Sequence, residues 1–206
     1  LSPETILAMA ETPAVMPQLH LAVQSGSTRV LKAMNRHYSR EDYLALADQI
    51  KSAMPGIALS TDIIVGFPGE TEEDFEQTLS LVKEVGFESA FTFIYSKRPG
   101  TPAAEIDDPT PREVIQERFD RLAELVARQA FDANQVELGR TVEALVEGVS
   151  KRDGDVLVGH SPKNKTVHFR APEGIEPDSL VGKLVDVKVE EARTWYLRGP
   201  MVGEPR

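Results

Sequence analysis

The run Ile57-Ala58-Leu59-Ser60-Thr61-Asp62-Ile63-Ile64-Val65-Gly66-Phe67 constrains the fold most. Its last apolar residues fall on both faces of an extended chain, as in a parallel strand covered on two sides. Gly66-Phe67-Pro68-Gly69 turns the chain sharply, and four acids follow within the next few positions, Glu70, Glu72, Glu73 and Asp74. Thr71 with Asp74 forms a capping box for a helix. Phe75, Leu79 and Val82 recur at helical spacing along it, and Gly86 ends it. A parallel strand followed at once by a helix is half of a crossover unit, so the chain belongs to the α/β class.

Two further units read the same way. Residues 16–23, MPQLHLAV, form a short apolar strand that stops at Gln24-Ser25-Gly26-Ser27. Ser27 caps a helix bearing Val30, Leu31 and Met34, and a second helix follows Ser39 with Tyr43, Leu46, Ala47 and Ile50 at spacings of three to four. Residues 4–11 look like the end of another helix. Residues 89–96, SAFTFIYS, are a third strand, and a long helix from about Pro111 to Val136 carries Ile115, Phe119, Leu122, Leu125 and Val126 on one face. Three units are too few to close a barrel. Their loops, QSGS, GFPGET and YSKRPGT, all follow strand ends, and in an α/β barrel that face binds ligands.

After Leu138 the period changes. Val142, Ala144 and Val146 alternate on one face, as do Val185, Val187 and Val189, with turn signals at Asp153-Gly154, Pro162-Lys163-Asn164 and Pro172-Glu173-Gly174. This predicts a small antiparallel β-barrel of the kind that often binds RNA. The expected organisation is therefore a half (β/α) barrel over 1–137 and a β-barrel over 138–206.

Charge follows the same division. Residues 1–137 hold 12 Lys/Arg against 22 Asp/Glu, whereas residues 138–206 hold 11 of each. An acidic body argues against wholesale nucleic-acid binding. No stretch reaches the roughly 20 apolar residues of a membrane span. The first residues lack the pattern of a signal peptide, and the chain begins at Leu1, which suggests a segment or a processed product. Cysteine is absent. That excludes disulfides and thiolate metal sites in this chain and fits a cytoplasmic protein. The four histidines show no ligand spacing, and the Walker A, G-x-G-x-x-G and G-x-S-x-G motifs do not occur.

Each polar cluster has a plain reading beside a functional one. GFPGE serves equally as a tight βα turn whose acids complement a helix dipole. QSGS is a phosphate-binding turn or simply a Ser-capped helix start, and SKRPGT is a solvated loop or a ligand-side one. Arg29, Lys32, Arg36, His37 and Arg40 make a basic stretch within the acidic body. Lys163, Lys165, His168, Phe169 and Arg170 suit single-stranded RNA, where bases stack and phosphates pair. The same pattern fits a charged hairpin with Phe169 in the barrel core.

Three segments, HLAVQSGSTRVLKAMNRHYSREDYL, STDIIVGFPGETEEDFEQTLSLVKEVGF and FTFIYSKRPGTPAA, closely resemble the C-terminal half of the radical S-adenosylmethionine methylthiotransferases. GRTVEALVEG, NKTVHF and ARTWYLRGPMV resemble the TRAM domain of those enzymes. The wording MNRHY and WYLRG is closer to the MiaB-type tRNA enzymes than to the ribosomal-protein methylthiotransferases. The resemblance implies methylthiolation at C2 of N6-isopentenyladenosine beside the anticodon, with S-adenosylmethionine and two 4Fe–4S clusters as cofactors. It implies a tRNA anticodon stem-loop as partner and no membrane.

In that family cysteines hold both clusters: a CxxxCxxC motif in the first half of the barrel, and cysteines of an N-terminal domain. This chain has neither, so the resemblance implies a segment that is inactive without the N-terminal half, its other partner. It further implies that Val65, Gly66 and Phe67 lie along the adenine with Glu70 fixing the bend. Gln24 and Ser25 would face the ribose or the methionine carboxylate, Arg36 would pair with that carboxylate, and Ser96, Arg98 and Pro99 would border the substrate. The competing readings are a ribosomal-protein methylthiotransferase and a non-catalytic RNA-binding module.

Overall fold

The computed structural model describes residues 1–151 and 153–206. Two compact units are present, one of Leu1–Val15 and Leu19–Gln129, the other of Met16–Gln18 and Ala130–Arg206.

In the first unit, α1 (Pro3–Glu11) starts at Ser2, whose hydroxyl accepts from the Thr5 N–H. The strand expected over 16–23 is shorter: β1 covers Gln18–His20. The reason is local. Leu21 N donates to Ser60 O, but Val23 N donates to the Thr61 hydroxyl at 2.9 Å, so a side chain takes the place of the ladder. Gln24 then rejoins the sheet through a parallel bridge to Ile63. Helices α2 (Thr28–Ala33) and α3 (Arg40–Ala53) follow, capped by Ser27 and by a Ser39/Asp42 capping box.

Strand β2 (Ala58–Val65) lies between β1 and β3 (Ser89–Ile94), and β2 and β3 run parallel from Ser60 opposite Ser89 to Val65 opposite Ile94. Helix α4 (Glu72–Val85) joins them. Thr71 and Asp74 form its capping box, and Gly86 ends it in the left-handed conformation, as the sequence requires. Leu59, Ile63 and Val65 belong to the main core with Ile6, Tyr43, Ile50, Phe75, Leu79 and Val82. The expectation that β2 is covered on both faces holds for its first four residues, and beyond them for one face only. Asp62 and Ile64 are half-buried, and their neighbours on β3, Phe91 and Phe93, are 59% and 52% exposed.

The loop after β1 lies directly on α4. Gly26 N donates to Thr78 Oγ1 at 2.9 Å, and a Cβ on Gly26 would stand 2.4 Å from Thr78 Cα. Helix α5 (Arg112–Gln135) follows the loop after β3.

The second unit takes the last residues of α5, because Asn134 and Gln135 donate to the carbonyls of Arg193, Thr194 and Ala192. The division therefore falls inside α5, earlier than the change of composition near 137. The sheet contains β4 (Thr141–Val149), β5 (Val156–His160), β6 (Thr166–Arg170), β7 (Leu184–Lys188), β8 (Glu191–Ala192), β9 (Leu197–Arg198) and β10 (Met201–Val202). Their order is β10-β7-β4-β5-β6-β9-β8. All pairs are antiparallel except β6 and β9, since β9 returns from its hairpin with β8 in the direction of β6. Ala144, Val146, Leu157, Val167, Phe169, Val185, Val187 and Leu197 fill the core. The face predicted by alternation in β4 and β7 is the buried one.

Gly26→Ala should lower the stability of the first unit by roughly 2 kcal/mol, since the neighbour it meets is backbone and cannot rotate away. Urea unfolding followed by circular dichroism checks this; an unchanged midpoint would show that the loop lifts off α4 at no cost.

Candidate functional site

The two loops at the carboxyl ends of β1 and β2 are held by one buried carboxylate. Asp74 Oδ1 accepts from Ser27 Oγ at 2.6 Å and from Arg29 Nε at 3.2 Å. Its Oδ2 accepts from Thr71 N at 2.9 Å, from Thr71 Oγ1 at 2.6 Å and from Arg29 Nη2. Burial works against the charge, yet these donors outweigh it and hold the Asp74 carboxyl well below the usual carboxylate range. The N-caps of α2 and α4 are thereby joined through a single side chain.

The GFPGE turn is built around Glu70. Its Oε2 accepts from Gly66 N at 2.8 Å, closing the bend over four residues. Gly66 has φ +72°, and a Cβ there would meet Ile115 of α5 at 2.6 Å, so glycine is required twice over. Arg118 of α5, 5% exposed, donates to Glu70 O at 3.0 Å and to Glu72 Oε2 at 2.9 Å, and lies 3.7 Å from Glu70 Oε2. Burial pushes the Glu70 carboxyl up to about 7, with the Gly66 N–H and Arg118 pulling the other way. Phe67 packs edge-on against Tyr95 at 5.2 Å between ring centroids. Tyr95 Oη is buried and has no hydrogen-bond partner among the described residues.

The residues expected at a ligand fall into two groups. Gln24, Ser25, Val65, Gly66, Phe67 and Glu70 are brought together at the carboxyl ends of β1 and β2, all buried. Gln24 has φ +69° and exchanges backbone hydrogen bonds with Asp62 and Ile64. Ser25 Oγ accepts from Ser27 N at 3.2 Å and lies 3.4 Å from Thr78 Oγ1. Arg36, Ser96, Arg98 and Pro99 are exposed, and Arg98 O accepts the Thr101 hydroxyl in a turn after β3. Two members of the basic stretch around α2 are engaged in the fold: Arg29 binds Asp74, and Arg40 donates to Gln77 O at 2.6 Å and pairs with Glu84 at 3.1 Å, whereas Lys32, Arg36 and His37 are exposed.

The expected RNA residues do not form one exposed cluster. Phe169 is 1% exposed and fills the core, so of its two readings the structural one holds and base stacking is corrected. Lys165 is buried, and its Nζ donates to Asn134 Oδ1 at 2.8 Å and Ala133 O at 3.3 Å. Lys163 lies 3.8 Å from Glu137, and Arg170 pairs with Asp153 at 3.2 Å and Asp155 at 3.6 Å. His168 stacks on Tyr196, ring centroids 5.0 Å apart and 10° from parallel.

Sequence reading passed over Arg118 and the group of His20, Ser60 and Asp62 on the open face of the sheet. Arg118 stands three residues after Ile115 and four before Leu122, within the apolar stripe, where a cation must find a buried acid. On the open face, His20 Nδ1 is 3.1 Å from Ser60 Oγ, and His20 Nε2 is 3.4 Å from Asp62 Oδ2. The period-two reading puts Ser60 and Asp62 on one face, but nothing local places His20 beside them.

The Radical SAM superfamily matches residues 1–82, and the TRAM domain matches residues 135–202. Among curated proteins, the chain is 50% identical over 98% of its length to the tRNA-2-methylthio-N(6)-dimethylallyladenosine synthase of Acetivibrio thermocellus. It is 52% identical over 97% of its length to the enzyme of the same name from Geobacillus kaustophilus. Its first 82 residues are thus similar to the radical SAM superfamily, residues 135–202 to the TRAM domain, and nearly the whole chain to part of these synthases. It spans 41% and 36% of the length of those two relatives. Among solved structures, it is similar to Escherichia coli coproporphyrinogen III oxidase, described as a radical SAM enzyme, with a TM-score of 0.53 and 14% identity. That match covers 93% of this chain and 44% of the other, and it bears on the fold alone.

The radical SAM superfamily uses two kinds of cofactor, and the residues present here treat them differently. The strand-end loops, with a buried Tyr95 Oη that has no hydrogen-bond partner among the described residues on the ring packed against Phe67, fit a polar organic ligand such as S-adenosylmethionine. An iron–sulfur cluster finds no thiolate here, as the chain has no cysteine.

The folded protein binds the Glu70 proton more tightly than the unfolded chain, whose ordinary value is 4.5. Its contribution to stability is therefore full below about pH 4.5 and is lost as pH rises through about 7. Between those values the parent should lose on the order of 2 kcal/mol relative to Glu70→Gln. Unfolding midpoints of both proteins across that window decide it; a constant difference would mean that Arg118 keeps Glu70 ionised throughout.

Proposed function

We propose that this chain provides the S-adenosylmethionine-binding loops and the RNA-binding unit of a tRNA methylthiotransferase. The reaction would add a methylthio group to C2 of N6-isopentenyladenosine next to the anticodon. The observation that carries this reading is identity of 50% or more over nearly the whole chain with relatives named for that product. Those names favour a tRNA base over a ribosomal protein as the methylthio acceptor. A tRNA substrate also fits a cytoplasmic enzyme, and no described helix is long and apolar enough to cross a membrane.

S-adenosylmethionine bound beside a reduced cluster supplies the radical chemistry. The cluster ligands, for two 4Fe–4S clusters in this reading, lie outside these 206 residues. This chain's own residues bind and orient. Glu70 fixes the Gly66 N–H and so sets the backbone of Val65, Gly66 and Phe67 for the adenine. Gln24 and Ser25 shape the neighbouring loop for the ribose or carboxylate, and Arg36 offers a cation to the carboxylate. Ser96, Arg98 and Pro99 border the substrate from the loop after β3. Lys163, His168 and Arg170 lie in the unit that takes the anticodon stem-loop.

Two measurements test this. A complete enzyme containing this chain, expressed in cells lacking the modification, should restore 2-methylthio-N6-isopentenyladenosine in digested tRNA; unmodified nucleoside beside well-folded enzyme overturns the substrate. The 206-residue chain alone, reconstituted anaerobically with iron and sulfide, should retain no stoichiometric iron. About four irons per chain would contradict the assignment of the ligands to another segment.

A further inference from the structure

An exposed aromatic of the second unit stands next to the Tyr196–His168 ring pair, His168 being one of the residues expected at RNA. Trp195, the single tryptophan of the chain, is 60% exposed. It stands in the tight turn between β8 and β9, closed by Arg193 N donating to Tyr196 O at 2.9 Å. Its neighbour Tyr196 lies flat on His168 of β6, and Arg198, level with His168 in the parallel pair, is exposed. Burial, with Arg198 nearby, holds the His168 imidazole below its ordinary value, so this ring pair is uncharged at neutral pH.

The turn is rigidly supported. Asn134 donates through Nδ2 to Arg193 O at 2.7 Å and Thr194 O at 3.1 Å, Gln135 donates to Ala192 O at 2.7 Å, and Lys165 donates to Asn134 Oδ1. A large apolar ring held out into water by a hydrogen-bonded turn gains nothing for folding, and Trp is among the residues enriched where binding energy concentrates. The charges favour a polyanion. Arg193 is paired with Glu191 at 2.6 Å and Arg170 with Asp153, but Arg198 has no ion pair among the described residues.

We propose that Trp195, the Tyr196–His168 ring pair and Arg198 form a stacking platform for unpaired bases of single-stranded RNA. The inference rests on the RNA-binding reading of the second unit and gives it a surface. Aromatic faces accept any base, and one cation beside them meets the backbone, so the platform holds a loop by stacking with little sequence choice. Lys165 then acts as a positioning residue: it orders the turn through Asn134.

Trp195 is its own reporter. In the full 206-residue chain, a single-stranded oligoadenylate of about ten nucleotides should quench tryptophan emission on titration, and duplex RNA of equal length should quench it far less. Trp195→Ala, read by anisotropy of labelled RNA, should weaken binding about 10-fold, Trp195→Phe should restore most of it, and Arg198→Ala should reduce the salt dependence. Circular dichroism establishes that each variant is folded. Unchanged emission at saturating oligoadenylate, or equal binding by folded Trp195→Ala, overturns the platform. Failure of the complete enzyme to methylthiolate tRNA, with quenching intact, removes the proposed reaction and leaves the platform standing.

Discussion

Asp74 is the interaction on which the first unit depends. It caps its own helix through Thr71, accepts the Ser27 hydroxyl from the cap of α2 and binds Arg29. One carboxylate therefore satisfies the starts of two helices and sets the distance between two loops. Removing one side of a buried, hydrogen-bonded charge costs several kcal/mol, of the order of 3–5 where the partner is fully enclosed. The exposed side of Arg29 and the exposed Thr71 make the set weaker than that limit, but the Ser27 hydroxyl donor is buried. The Gly26–Thr78 contact closes the same loop from below, so the QSGS turn is rigid on two sides. Rigid loops at strand ends are what a ligand site in this class of fold needs.

The second carboxylate, Glu70, works under different conditions. It has one backbone donor and a guanidinium at 3.7 Å, where Asp74 has a full set of close donors. The balance of burial and donors thus splits two neighbouring acids to opposite sides of the usual range. Such a split within one loop is characteristic of functional sites, though structural networks also produce it. In the second unit the corresponding device is Lys165 with Asn134, a buried polar pair that orders a turn through its carbonyls.

Much of the fold was legible because its signals are local. Ser27, Ser39 and Thr71 cap helices by bonds spanning three residues, and each is where the sequence predicts it. Alternation in β4 and β7 identified the buried face because strand period and side-chain direction are tied together. The shortening of β1 was not legible, since it depends on the Thr61 hydroxyl 38 positions away taking the Val23 N–H. Nor was the exposure of Phe91 and Phe93: hydrophobic residues in a strand read as buried until the neighbours of that strand are known.

By itself the sequence determined the order of the main strands and helices, the caps, the strand-end loops and the absence of cysteine, because each follows from residue identity over a few positions. The tertiary structure alone decided which charges and rings are free. Lys165 and Arg198 are equally cationic in sequence, yet one is engaged by Asn134, 31 positions earlier, and the other stays exposed. Phe169 and Trp195 are both large aromatics beside basic residues, and strand phase buries the first while a pinned turn holds the second in solvent. Those outcomes rest on contacts between distant parts of the chain, and no local pattern of charge or periodicity encodes which distant partner arrives.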